Sequence, residues 1–202
     1  MAAVPPLLTE RRSVRAFRPD AVPRPLLDDL VAAACLAPAP HHSRPWRWVV
    51  LDRPDGKAAL AAGMGDRWRA DLARDGVDPA RVDELVGASA ARLVAAPALL
   101  LGCLTDEGLD RYPDPARQQA EWGMALLSLG AAVENLMLAA TGAGLASCWV
   151  AAPIFCPDEA GAALGLDPSW HPQALVLVGY PDPGYEPRRR PPVDLGQLRA
   201  RR

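Results

Sequence analysis

Lysine is almost missing from this chain: Lys57 stands alone against 21 arginines. Aromatic residues are scarce at 5%, with two Phe and three Tyr, and there are only three His. A metal centre built on histidine is not expected, because His41-His42 has only His171 for company and no ligand spacing accompanies the pair. The four cysteines (Cys35, Cys103, Cys148, Cys156) show no C-x-x-C pair, which suits free thiols in a reducing compartment. No G-x-G-x-x-G follows a predicted strand and no Walker A sequence occurs, so a nucleotide-like cofactor must be held by other means. The first residues lack a basic start and a long apolar run; a cytoplasmic location is expected. A membrane span over 123–146 is not expected, since Glu134 and Asn135 fall at its middle.

What is present fits one globular domain over residues 1–202. Half the residues are hydrophobic, 38 of them Ala, and the net charge is −2. That charge is unevenly placed. Residues 1–24 carry +3, residues 188–202 carry +5, and the body between carries −10. Nucleic-acid binding is not expected from such a balance. Two basic ends on an acidic body either converge on one compact anion or remain solvated tails.

The periodicity predicts a helix opened by Val22-Pro23-Arg24-Pro25, a strand over 46–51, a turn at Pro54-Asp55-Gly56 and helices near 57–75 and 79–95. A buried strand follows over 98–104, then a long central helix over about 116–141, an extended segment over 144–150, a short helix over 157–164 and a strand over 174–178. An extended basic arm closes the chain. The interleaving argues for an α+β sandwich around a central sheet.

Arg11-Arg12-Ser13-Val14-Arg15 places four anion-capable side chains within five residues, a candidate phosphate clamp. The segment 10–19 (E-R-R-S-V-R-A-F-R-P) resembles the opening signature of the nitroreductase family of flavoenzymes. Three further segments resemble that family in order: 37–48 (A-P-A-P-H-H-S-R-P-W-R-W), 142–153 (G-A-G-L-A-S-C-W-V-A-A-P) and 186–192 (E-P-R-R-R-P-P). Segments 37–45, 66–72, 112–114 and 147–150 also resemble one subfamily, the nitroreductase-like C-terminal domain of the bifunctional gamma-glutamyl ligase that completes the deazaflavin coenzyme F(420). The ligase part is not in this sequence, so a separate gamma-glutamyl ligase is the partner that likeness would imply.

The resemblance implies a homodimeric three-layer sandwich with a mostly antiparallel sheet, and FMN at the dimer interface. It implies that Arg11, Arg12, Ser13, Arg188 and Arg190 hold the phosphate and ribityl chain, and that Arg15 approaches the N1/O2 edge of the ring. By the same likeness the backbone N–H groups of Ala151 and Ala152 face N5, flanked by Trp149 and Val150, with Pro40 and His42 also at the flavin. Relatives often carry Glu-Gly where this chain has Ala151-Ala152, so no side-chain proton donor is expected there. His41 is a candidate for flavin contact or proton delivery. Arg67 and Trp68 are candidate substrate contacts for an anionic deazaflavin. The implied activity is hydride transfer from reduced FMN to an electron-poor double bond, in the subfamily that of the dehydro precursor of F(420). A general NAD(P)H-dependent nitro, quinone or ene reductase is the alternative, and a non-catalytic deazaflavin-binding module a third.

Overall fold

The computed structural model describes residues 4–201. Four strands, β1 (Trp46–Leu51), β2 (Ala98–Leu104), β3 (Ala146–Val150) and β4 (His171–Gly179), form one antiparallel sheet in the order β1-β2-β4-β3. Seven helices accompany them: α1 (Pro6–Glu10), α2 (Arg24–Ala34), α3 (Pro54–Arg74), α4 (Pro79–Ala95), α5 (Pro115–Gly142), α6 (Pro157–Leu164) and α7 (Leu195–Leu198).

Proline's missing N–H and fixed φ suit a helix's first turn, and this chain uses it that way from α1 to α6. Asp78 and Asp114 precede two of these prolines and accept hydrogen bonds from the N–H groups of Arg81 and Arg117, at 3.2 and 2.9 Å. The same logic overturns the expected turn at Pro54-Asp55-Gly56. Pro54 opens α3 instead, and Asp55 lies in its first turn, where a negative charge is favoured. The single lysine closes α4: Lys57 is buried, and its Nζ donates to the Ala96 carbonyl at 2.6 Å.

Strand alternation splits the core in two. Trp46, Leu100, Val176 and Val178 face α2 and α5; Leu99, Leu101, Leu175 and Leu177 face α3, α4 and α6. The result is the expected three-layer sandwich. β4 starts three residues earlier than predicted. Pro172 cannot donate to the ladder, and the register shifts between Gly102 and Cys103 where it pairs. α5 is long and apolar enough to cross a membrane, yet Leu129, Val133 and Leu136 on its inner side pack into the sheet and α2.

Glu134, near the middle of α5, accepts from Arg11 Nε at 3.0 Å. The pair is only partly buried. Glu134→Ala is expected to cost no more than about 1 kcal/mol and to lower the melting temperature by about 2–4 °C. A much larger fall in a thermal melt would contradict this peripheral role.

Candidate functional site

β3 is an edge strand, and an open edge invites pairing. The N-terminal signature occupies it. Ser13 bridges Ser147 in parallel, and the Val14 N–H donates to the Ser147 carbonyl at 3.0 Å. The same segment continues to Tyr180, whose carbonyl accepts from the Arg18 N–H at 2.9 Å. Residues 11–15 are thereby fixed alongside β3.

The C-terminal arm returns to this seam. The Arg12 guanidinium donates to the Arg188 carbonyl. Arg190 donates to the Leu8 carbonyl at 2.9 Å and to that of Arg11. The structure thus brings Arg12, Ser13, Arg188 and Arg190 together at the start of β3. Arg11 stands apart from them in function, because its side chain is held by Glu134. Nearby, the buried Ser147 hydroxyl has no protein partner, a further polar group at the same seam.

At the other end of β3 the parallel register carries Arg15 alongside Trp149, and Arg92 lies in the last turn of α4. Burial pushes the Cys148 thiol up, while the charges of Arg15 and Arg92 both pull against that shift. Among the described residues neither arginine has a carboxylate within 4 Å. Arg92 escaped the sequence reading because its helix carried no recognised motif. Its place as the basic residue of the last turn, one turn before the buried Ala98–Leu104 strand, was the available signal.

β3 leads directly into a 3₁₀ turn, Ala152–Phe155, capped by Ala151. The first N–H groups of such a turn have no intrahelical acceptor and point outward. Ala151 and Ala152 therefore offer backbone donors only. Cys148 is buried, which works against a role as nucleophile. Burial likewise raises the Cys103 thiol to about 12 and Cys156 to about 11. These thiols are mostly protonated below their raised values, so labelling by iodoacetamide at pH 8 is expected to modify Cys35 first. Cys156 should react faster by about tenfold per pH unit while pH remains below its pKa. Rapid labelling of Cys103 at pH 8 would contradict this.

Pro40–His42 forms a short 3₁₀ turn, and His41, His42 and Arg44 have φ of 53°, 54° and 48°. Three left-handed non-glycine residues in four positions store strain of the kind that clusters at functional sites. The neighbouring loop holds the turn. Pro45 accepts from the Thr105 N–H at 2.9 Å, and Asp110 lies 3.8 Å from His41 Nε2. The buried Glu121 accepts from the Asp110 N–H at 3.3 Å. Pro40 packs beside Leu127 and Ala131 of α5 and does not line the cavity next to Ala152.

That cavity, about 410 Å³, lies between α3, α4 and the 3₁₀ turn after β3. Met64, Val86, Leu93 and Phe155 give it apolar walls, and Trp68 is 38% exposed at its side. Trp68 is therefore a wall of a cavity and not a core residue. Arg67 is not free: Nε lies 3.1 Å from both Asp71 oxygens, and Nη1 lies 3.0 Å from Glu159 Oε1. The Arg67 guanidinium in turn holds the Glu159 carboxyl below its ordinary value.

This donor set suits the flavin mononucleotide implied by the sequence. Guanidinium groups and a serine cluster at one end of β3, where a phosphate dianion would be neutralised. Arg15 and a backbone N–H pair lie at the other, where a ring that gains negative charge would be met.

Residues 8–180 match the profile of the nitroreductase family. An NADH dehydrogenase from Thermus thermophilus is 32% identical over 193 residues, covering 90% of this chain and 89% of that protein. A 5,6-dimethylbenzimidazole synthase from Rhodospirillum rubrum is 31% identical over 180 residues, covering 85% and 78%. Among solved structures, the FMN-dependent nitroreductase NfnB from Mycobacterium smegmatis, in complex with NADPH, superposes with a TM-score of 0.69 at 23% identity, covering 97% of this chain and 96% of that one.

Proposed function

We propose, since this chain belongs to the nitroreductase family, that it is an FMN-dependent oxidoreductase driven by a reduced nicotinamide cofactor and acting on small electron-poor ring compounds. The observation that carries this reading is the meeting of guanidinium groups from the two ends of the chain, Arg12 and Arg190, beside β3. FMN, when bound and reduced, supplies a hydride from N5. The protein's own share is positional. Arg12, Ser13 and Arg190 would hold the phosphate, and Arg15 and Arg92 would stabilise negative charge gained by the ring. The N–H groups of Ala151 and Ala152 would orient the ring edge that carries the hydride. With alanine at both positions the proton that completes reduction comes from solvent or from a residue on another segment, such as His41.

We place the protein in the cytoplasm as a homodimer. Leu127 on α5 is 78% exposed and Phe155 after β3 is 75% exposed, and both lie beside the cavities described above. Apolar side chains of that size and exposure mark an interaction surface. The strained His41-His42 turn lies on the same α5 face as Leu127, so a partner copy would carry it toward the flavin.

A second reading is reduction of the dehydro precursor of F(420). The His-His turn and the likeness of residues 66–72 support it. Arg67 weighs against it, being engaged by two carboxylates where an anionic deazaflavin would need a free cation. The test is anaerobic bleaching of the flavin by NADPH, then reoxidation by 1,4-dinitrobenzene or by the dehydro precursor. Faster reoxidation by dinitrobenzene is expected. Reoxidation by the precursor alone would favour the second reading, and a colourless protein that takes up no FMN would overturn both.

A further inference from the structure

The cavity between α3 and α4 carries a feature that the reaction itself does not require. Its one cation, Arg67, faces two acids from two different helices: Asp71 one turn along α3, and Glu159 on α6. Arg67, Asp71 and Glu159 together carry a net −1. Arg74 also touches Asp71, at 2.9 Å, but its side chain is 71% exposed and solvent screens its charge; Glu159 stands behind Arg67, outside the cavity lining but half as exposed. Apart from Ser89, the remaining wall carries no large or charged polar side chain and is mostly apolar or aromatic, with Trp68 and Phe155 offering ring faces.

We propose that Asp71 and Glu159 act as a charge filter for this cavity: by occupying Arg67 they make it select uncharged flat rings and reject anionic ones. This rests on the reading of the cavity as the acceptor site next to Ala152. Two of the five N–H donors of Arg67 are already engaged, and the charges of the two acids outweigh its own, so an incoming carboxylate meets no net attraction there. The two acids repel that carboxylate, and low-dielectric walls strengthen the repulsion. An uncharged ring loses nothing by entry and stacks on Trp68. Selectivity is therefore set by residues that need not touch the ligand, which makes Asp71 and Glu159 specificity-determining residues and not catalytic ones.

The test uses the flavin-loaded protein and two redox-inert probes of one ring size, 2-naphthol and 2-naphthoate, with affinities from calorimetry. The unsubstituted protein is expected to prefer 2-naphthol by at least about tenfold, the selectivity a like-charge juxtaposition readily gives. In the double variant Asp71→Asn, Glu159→Gln, Arg67 is released, and the preference should fall within about threefold or invert. Glu159→Gln alone should give an intermediate ratio, and serves if the double variant fails to melt cooperatively. Ala90→Phe, which fills the cavity wall, should weaken both probes by about tenfold or more. Equal affinity for the two probes in the unsubstituted protein would overturn the filter, as would an unchanged ratio in the double variant. Unchanged binding in Ala90→Phe would show that the probes bind elsewhere, and would overturn it too. Turnover with NADPH and ferricyanide, which takes electrons without entering a cavity, separates the two failures. Its persistence alongside a failed filter leaves the FMN reading standing, and its absence removes that reading instead.

Discussion

Replacing Arg12 and Arg190 together by alanine is expected to weaken FMN binding by more than about a hundredfold. Each guanidinium–phosphate contact is a charged hydrogen bond worth about 1.5–3 kcal/mol, and about 1.4 kcal/mol is a tenfold change in affinity. The structure sets both side chains at the seam of α1 and β3, where they now hold the carbonyls of Arg188, Leu8 and Arg11. Arg189→Ala, between two of these residues but making no side-chain hydrogen bond or ion pair among the described residues, should stay within about threefold. Arg11→Ala acts differently: it releases Glu134, and its main effect is expected on stability. Fluorescence titration of apoprotein with FMN reads all three. An unchanged dissociation constant in the Arg12/Arg190 double variant would remove the clamp.

The second large effect is expected from Arg15→Gln combined with Arg92→Gln. Each cation near the ring's pyrimidine edge stabilises the charge gained on reduction by about 1–2 kcal/mol at intermediate effective dielectric. For a two-electron couple, about 30 mV corresponds to 1.4 kcal/mol, so the pair should lower the flavin midpoint potential by about 40–90 mV. Either single variant should give about half that shift. The potential is measured by dye equilibration during slow reduction. No shift in the double variant would show that Arg15 and Arg92 do not act on the ring.

Much of this fold was legible because proline and charge fall where elementary rules put them. Asp78-Pro79 and Asp114-Pro115 are caps followed by first-turn prolines, and both open helices at the predicted places. Pro54-Asp55-Gly56 was read as a turn because its composition is that of a turn. What decides it is the twenty-one-residue helix behind it, which packs on α4 and α6 and extends through the glycine. The start of β4 was missed because Pro172 interrupts the apolar run, and only a register shift in the partner strand lets it pair.

The site was legible where it is local and obscure where it is assembled. The basic ends announced themselves by count, and the fold joins them across 176 residues. Arg11 looked equivalent to Arg12, yet the side chain of one points to Glu134 and the other to the arm, a distinction that depends on where α5 lies. Arg92 and the two acids on Arg67 come from helices whose mutual packing no local pattern encodes. The left-handed backbone at His41, His42 and Arg44 carries no sequence signature, since no glycine marks it.

The most direct test compares FMN with riboflavin, which shares the ring and ribityl chain and lacks only the phosphate. If arginines from the two chain ends enclose that phosphate, apoprotein should bind FMN at least about a hundredfold more tightly than riboflavin, again from charged contacts of about 1.5–3 kcal/mol each. The Arg12→Ala, Arg190→Ala protein should bind both alike. Equal affinity for the two flavins in the unsubstituted protein would contradict the account.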